Sequence, residues 1–164
     1  MAEMGEYVVG AYLKLIKGCQ HVLYNVRAGK QAEIDVVGLD LRRRIVYICE
    51  VKTHIKGLLV SKKGLGDVTA ETIQKQLKSA IIYGKQWSRV LTPKHMFWSP
   101  KVAKGKRTAQ LQQIRRTLES DIEIVINSEY KKRVRELQEM TRHDDSTSGE
   151  PFYRALQILE HLRD

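Results

Sequence analysis

Residues 33–52, EIDVVGLDLRRRIVYICEVK, decide the fold of this chain of 164 residues. Runs rich in isoleucine and valine predict strands at 33–39 and 45–51, and the charged turn between them predicts a hairpin. Charged side chains are uncommon in buried strands unless they are paired or bind a metal. Asp35 and Glu50 lie within these apolar runs, so the hairpin predicts a functional site as well as part of a sheet.

The chemistry of this hairpin follows from its charged residues. Side chains alternate along a strand, so Glu50 and Lys52 point to the same side. Two carboxylates suit Mg²⁺, with Mn²⁺ as a substitute, because hard cations prefer oxygen ligands. A bound ion polarises a phosphoryl oxygen and acidifies water, while a lysine orients that water and offsets developing charge. Asp35, Glu50 and Lys52 therefore predict hydrolysis of a phosphate ester; the alternative is a cross-strand ion pair on a solvated sheet face.

The remaining sequence predicts an α/β domain with a mixed central sheet of about five strands, flanked by helices. The first three strands are close enough along the chain for antiparallel pairing, and the fourth joins through a crossover helix. We expect Thr92-Pro93 to break the chain before the fourth strand. The elements predicted beside the hairpin are helices at 4–17, 69–86, 109–118, 128–141 and 152–163, and strands at 21–27, 96–98 and 122–126.

Composition indicates the kind of partner. Lysine and arginine number 29 against 19 acidic residues, which gives a net charge of +10. Such an excess favours a polyanionic partner, most simply nucleic acid; a solvated basic surface or an anionic membrane surface are the alternatives. We expect no membrane span, because there is no apolar run of about 18 residues. We expect no secretory signal, because the N-terminus has no basic region followed by an apolar core. Cys19 and Cys49 lack metal-ligand spacing, and we expect a reducing, cytoplasmic environment.

An ordered set of motifs resembles the PD-(D/E)XK nuclease superfamily, and within it the Holliday-junction-resolvase and YraN-like branch. It begins with the helix Gly5–Leu13 and continues with the basic loop 27–30, Glu33-Ile34-Asp35 and Glu50-Val51-Lys52-Thr53. Ile34 stands where the superfamily often has proline, a departure also common in the resolvase-like branch. The resemblance covers about the first half of the chain.

The resemblance implies a restriction-endonuclease-like core and a magnesium-dependent DNA endonuclease, with structure-specific cleavage of branched or junction DNA as one form. Glu6, Asp35 and Glu50 would be the metal ligands, and Lys52 would complete the catalytic set. A homodimer is expected, since resolvases cut two strands as pairs. The nuclease-like domain would span residues 1–143. Residues 144–164 would add a polar linker and a C-terminal helix that packs on the core or on a partner subunit.

Further residues are candidates for roles around this centre. Glu33, His54 and Gln74 are candidates for positions around the metal ligands and the bound phosphate. Glu33 qualifies only if a bulge turns it toward Asp35. The alternative functions are a catalytically inactive nucleic-acid-binding protein and a protein whose basic patch binds an acidic partner; RNA as the substrate also stays open. The predicted phosphate contacts are basic residues in loops and in the acid-free stretch 94–118: Arg27, Lys30, Lys62, Lys63, Lys101, Lys104, Lys106 and Arg107.

Overall fold

A computed structural model describes most of the chain as one sheet with helices around it. The described residues are 2–29, 32–53, 70–103, 105–144, 146 and 148–162. The helices are α1 (Met4–Ala11), continued by a π-helical turn (Tyr12–Ile16), then α2 (Ala70–Trp87), α3 (Lys106–Thr117), α4 (Asn127–Thr141) and α5 (Pro151–His161). The strands are β1 (His21–Arg27), β2 (Glu33–Asp40), β3 (Ile45–Val51), β4 (Thr92–Ser99) and β5 (Ile122–Ile126).

The sheet has five strands in the order β1-β2-β3-β4-β5. The first three strands pair antiparallel, whereas β4 and β5 are parallel to β3. Parallel neighbours need a crossover connection, which α2 and α3 supply. The predicted α/β class, the mixed sheet and the crossover through the second helix are therefore confirmed.

Helices cover both faces of the sheet. On one face α1, the π-helical turn, α4 and α5 pack over a core that contains Tyr12, Trp98 and Tyr153. On the other face α2 and α3 pack over a core that contains Ile73 and Phe97. Because strands covered on both faces lose their exposed surface, the strand ends become the accessible part of the sheet.

Two predicted boundaries are wrong. Thr92 and Pro93 do not break the chain; they begin β4. Proline is tolerated there because β5 pairs only from His95 onward, so that end of β4 has a neighbour on one side. The helix predicted for 4–17 is also not uniform, since α-helical bonding ends at Ala11 and the π-helical turn follows.

The C-terminal segment packs on the core. Glu150 accepts hydrogen bonds from Lys14 Nζ and Tyr24 OH, each at 3.0 Å. Tyr153 in α5 is fully buried, while Leu159 and Leu162 stay exposed. The predicted division at residue 143 and the predicted homodimer remain predictions. In the described part of the chain, no helix has the length and apolar character that crossing a membrane requires.

Candidate functional site

Asp35 lies where β2 separates from β3. The backbone pairing of these strands ends at Val36 and Cys49. One residue further, Asp35 Oδ2 accepts a 2.7 Å hydrogen bond from the amide of Val51. The side chain thus takes the place of a backbone acceptor, and the same oxygen accepts a 3.2 Å bond from Lys52 Nζ. Asp35 and Lys52 are therefore fixed to one another by the end of the hairpin.

Glu50 is buried, and its contacts with Asp35 and Lys52 are longer than ordinary hydrogen bonds. It is 1% exposed, and neither carboxylate oxygen has a donor within the described structure. The nearest cation is Lys52 Nζ, 3.7 Å from Oε2. Burial, and then the neighbouring Asp35 carboxylate, raise the pKa of Glu50 from 4.5 to about 8, although Lys52 opposes the change. Ionising this carboxyl is unfavourable unless additional positive charge arrives.

Glu6 approaches the same place from α1. A Cβ on Gly5 would overlap Thr53 Cγ2, so glycine at this position lets the start of α1 lie against the residue that follows Lys52. Glu6 is itself buried, and Glu6 Oε2 accepts the amide of Glu3 at 3.2 Å in a capping box. Burial raises the pKa of Glu6; the Glu3 amide opposes this, and nearby carboxylates including Asp35 add to it. The structure thus brings Asp35, Glu50 and Lys52 into contact, and Glu6 lies close enough to interact electrostatically with Asp35.

Asn25 is a residue of this site that the sequence interpretation missed. It lies in β1 between the pairs Tyr24–Val36 and Val26–Ile34, at a left-handed φ of 53°. With its amide nitrogen toward the carboxylates, it donates to Glu6 Oε2 at 3.2 Å and to Glu33 Oε1 at 3.1 Å. That orientation follows because carboxylate oxygens only accept. Asparagine is one of the few residues that tolerate this backbone, and this tolerance is the signal in the sequence that could have identified it.

Glu33 is connected to the site by Asn25, the residue at which the backbone of β1 is irregular. The bulge that the sequence interpretation required in β2 was wrong, because Glu33 and Asp35 are two residues apart and already point to the same side of a regular strand. The departure from regular backbone occurs opposite them, at Asn25. Glu33 is exposed, while its Oε1 faces the amide that also binds Glu6. The carboxylates of Glu6 and Glu33 consequently share one donor group.

The other predicted residues are only partly described. Gln74 is half-buried in the first turns of α2. Arg27 and Lys101 are exposed, Arg27 at the end of β1 and Lys101 just after β4. Lys106 and Arg107 are described only as the first backbone residues of α3. The predicted residues outside the described ranges are Lys30, His54, Lys62, Lys63 and Lys104.

A basic stripe on α2 was not predicted. Lys75, Lys78 and Lys85 on the outer side of α2, and Arg89 just after it, are all exposed and recur at helical spacing. Among the described residues, none of them takes part in an ion pair. The spacing i, i+3, i+10 and i+14 is visible in the sequence and would have identified this stripe, which we call the α2 basic stripe.

The donor set fits a hard divalent cation. Glu50 contributes two buried oxygens, Asp35 shares the Lys52 ammonium group with it, and Glu6 interacts electrostatically with Asp35. Oxygen-only donors of this kind suit Mg²⁺ or Mn²⁺ rather than zinc or copper. As the side chains stand, no group of three or more His, Cys, Asp and Glu residues in the described ranges forms a metal-binding arrangement. Lys52 Nζ instead contacts both Asp35 and Glu50.

Comparisons of the chain with protein-family models, with curated proteins and with solved structures found no match. The chain is an α/β protein with two carboxylates and one lysine at the end of a hairpin, and a third carboxylate, Glu6, on α1.

Proposed function

We propose that the protein is a metal-dependent endonuclease that hydrolyses phosphodiester bonds in DNA, on a restriction-endonuclease-like core. The observation that carries this proposal is the carboxylate of Glu50, which is buried beside Asp35 with both oxygens lacking donors. Buried polar groups are nearly always satisfied, and buried charges are paired or bind metals. A purely structural ion pair has no need for this unsatisfied acid, whereas a cation site does.

In the proposed mechanism, Asp35, Glu50 and Glu6 would hold Mg²⁺, or Mn²⁺ in its place. When bound, the ion would polarise the scissile phosphate and acidify a water molecule. Asp35 keeps its position through the Val51 amide, and Glu6 keeps its position through the capping box with Glu3. Preorganised groups of this kind lower the cost of reorganisation during the reaction.

Lys52 would orient water and compensate charge in this mechanism. Its ammonium group contacts both carboxylates and is mostly buried. Next to a substrate phosphate, it would orient the attacking water and offset the negative charge that develops on the phosphoryl oxygens. A point charge on a flexible stem suits that task, because it follows the charge without a fixed donor geometry.

The proposed substrate is DNA, and the support for it is electrostatic. The chain carries a net charge of +10. Arg27, Lys101 and the α2 basic stripe present exposed cations that suit a phosphate backbone. Preference for branched or junction DNA, and action as a homodimer, are proposed from the family resemblance. A cytoplasmic location is proposed as well, in keeping with the two buried free thiols.

Cleavage assays on linear duplex, flap and four-way-junction DNA with Mg²⁺ test the proposal. We expect metal-dependent products from the wild type and none from Lys52→Ala or Asp35→Asn. Lys131→Ala is the matched control, because it removes an exposed lysine of α4 that lies outside the α2 basic stripe, and it leaves the carboxylates unaltered. Failure of the folded protein to cleave any DNA or RNA at low salt would contradict the proposal, as would unchanged cleavage by Lys52→Ala.

A second candidate function is a nuclease-like protein that binds nucleic acid without cleaving it. The 3.2 Å contact between Lys52 Nζ and Asp35 favours this function, because the lysine already compensates the charge that a metal ion would compensate. This function predicts salt-sensitive binding without any product. Asp35→Asn would then leave binding intact or strengthen it, since it removes negative charge close to a phosphate.

A further inference from the structure

We infer that Asn25 is a positioning residue of the proposed metal site, where its amide bridges Glu6 and Glu33 and aims Glu6 toward Asp35. This inference rests on the proposed function and adds a residue that lies outside the motifs. Asn25 touches the carboxylates rather than a substrate, so its effect is exerted through Glu6. The two contacts, 3.2 Å to Glu6 Oε2 and 3.1 Å to Glu33 Oε1, join α1 to the start of β2.

The backbone at Asn25 is the first support for this role. A φ of 53° in the middle of a strand is uncommon even for asparagine, which tolerates it better than most residues, and it falls beside the candidate site. Strained residues persist where the surroundings determine them, and they cluster at functional sites. The pairing of β1 with β2 skips Asn25 opposite Asp35, so the distortion and the candidate ligand occur at the same level of the sheet.

The distribution of hydrogen bonds on Glu6 is the second support. The Glu3 amide and the Asn25 amide both bind Oε2. This arrangement leaves Oε1 for a ligand and fixes the plane of the carboxylate. A side-chain amide has two N–H donors, which matches the two carboxylates it faces.

Repulsion among the acids is the third support. Asp35, Glu3 and Glu33 all act on Glu6 electrostatically. Neighbouring carboxylates that are both ionised repel each other, and their side chains move apart unless a hydrogen-bond donor lies between them. Asn25 supplies that donor without adding a positive charge, so it holds the acids together and leaves their charge for a cation.

The test uses Asn25→Gly, which removes the amide while it keeps a residue that accepts positive φ. We expect the Kd for Mn²⁺, measured by isothermal titration calorimetry, to weaken about tenfold, as for removal of one hydrogen bond to a charged group. Glu119→Gly is the matched control, because Glu119 also has a positive φ of 48° but follows α3. It should leave the Kd unchanged. If Asn25 served only the backbone, Asn25→Gly would bind Mn²⁺ as tightly as the wild type, and the inference would be overturned.

A second measurement separates this inference from the proposed function. In metal-free buffer, Glu33→Gln should raise the Tm of the Asn25→Gly protein more than it raises the Tm of the wild type. In the wild type the Asn25 amide compensates the charge on Glu33. In the Asn25→Gly protein that charge is uncompensated, so its removal stabilises the protein more. Additive Tm changes would refute the bridge even in a protein that binds Mn²⁺. Absence of Mn²⁺ binding by the wild type, with the Tm coupling intact, would refute the proposed metal site and with it the positioning role.

Discussion

Replacing Glu50 by glutamine tests the electrostatics of the site, because it removes the charge and keeps the shape. In the folded protein the pKa of Glu50 is raised from 4.5 to about 8, mainly by burial. The folded state therefore keeps a proton that the unfolded chain releases above pH 4.5. A group with a raised folded pKa contributes stability that is complete below its unfolded pKa and is lost as the pH rises through the folded pKa.

The size of this stability difference follows from the change in the pKa of Glu50. Each pKa unit corresponds to about 1.4 kcal/mol, so the change from 4.5 to about 8 sets an upper limit of about 5 kcal/mol. Relative to Glu50→Gln, the free energy of unfolding of the wild type should fall between pH 4.5 and about 8 and level off above that. Mg²⁺ or Mn²⁺ should restore part of this stability at high pH, because a ligand that binds only the folded state stabilises it.

Urea unfolding in EDTA at pH 5, 6.5, 8 and 9 measures this difference for the wild type and for Glu50→Gln. Glu71→Gln is the matched control, since it makes the same chemical change at an exposed position of α2. Its unfolding curve should follow that of the wild type at each pH. Parallel pH profiles for the wild type and Glu50→Gln would refute the reasoning, because they would mean that Glu50 ionises as freely in the folded state as in the unfolded chain.

Three further predictions address the approach of α1, the basic surface and the core. Gly5→Ala should destabilise the protein by about 1–3 kcal/mol through overlap with Thr53 Cγ2, and Thr53→Ser should recover much of this in urea unfolding. The substitutions Lys75→Gln and Lys78→Gln should make the plot of log K against log salt for DNA binding less steep, by about 0.9 for each phosphate that is no longer neutralised. Burial lowers the pKa of His95, so wild-type stability should fall relative to His95→Gln as the pH drops below 6.5, because the unfolded chain binds the proton first. The prediction for Gly5→Ala is contradicted if Thr53→Ser recovers no stability. The prediction for the basic stripe is contradicted if the salt slopes are equal, and the prediction for His95 is contradicted if the pH profiles of the wild type and His95→Gln are parallel.

The hairpin was predictable because its determinants are local. Alternation and β-branched residues fix strands at 33–40 and 45–51, and the register of the hairpin then brings Asp35 to the level of Glu50. The five-strand mixed sheet followed from the same patterns together with the crossover rule. The restriction-endonuclease-like core that we propose has no such local determinant, since it would depend on how the helices and strands are arranged in space.

The missed features depend on contacts between distant parts of the chain. Asn25 gains its role only when α1 brings Glu6 against β1, and α1 lies so close to β1 that a Cβ on Gly10 would overlap the side chain of Tyr24. Pro93 was taken for a break because the rule against proline in strands ignores which neighbours a strand has at that level. The apolar stripe predicted on the last helix is half-buried at Phe152 and Leu156 and exposed at Leu159 and Leu162, because the side of α5 that packs on the core carries Tyr153 and Gln157.

Asp35 links the stability of the fold to the chemistry of the site. One oxygen, Oδ2, accepts the Val51 amide as a substitute for backbone pairing and also receives Lys52 Nζ. Because the strand pairing ends at this carboxylate, the position of the lysine is set by the register of the hairpin and not by a separate loop. A slip of one residue would turn Asp35 to the face opposite Glu50 and also leave the Val51 amide without its acceptor. The register that folds the hairpin is therefore the register that assembles the candidate site, which explains how acids that are costly to bury occur within apolar strands.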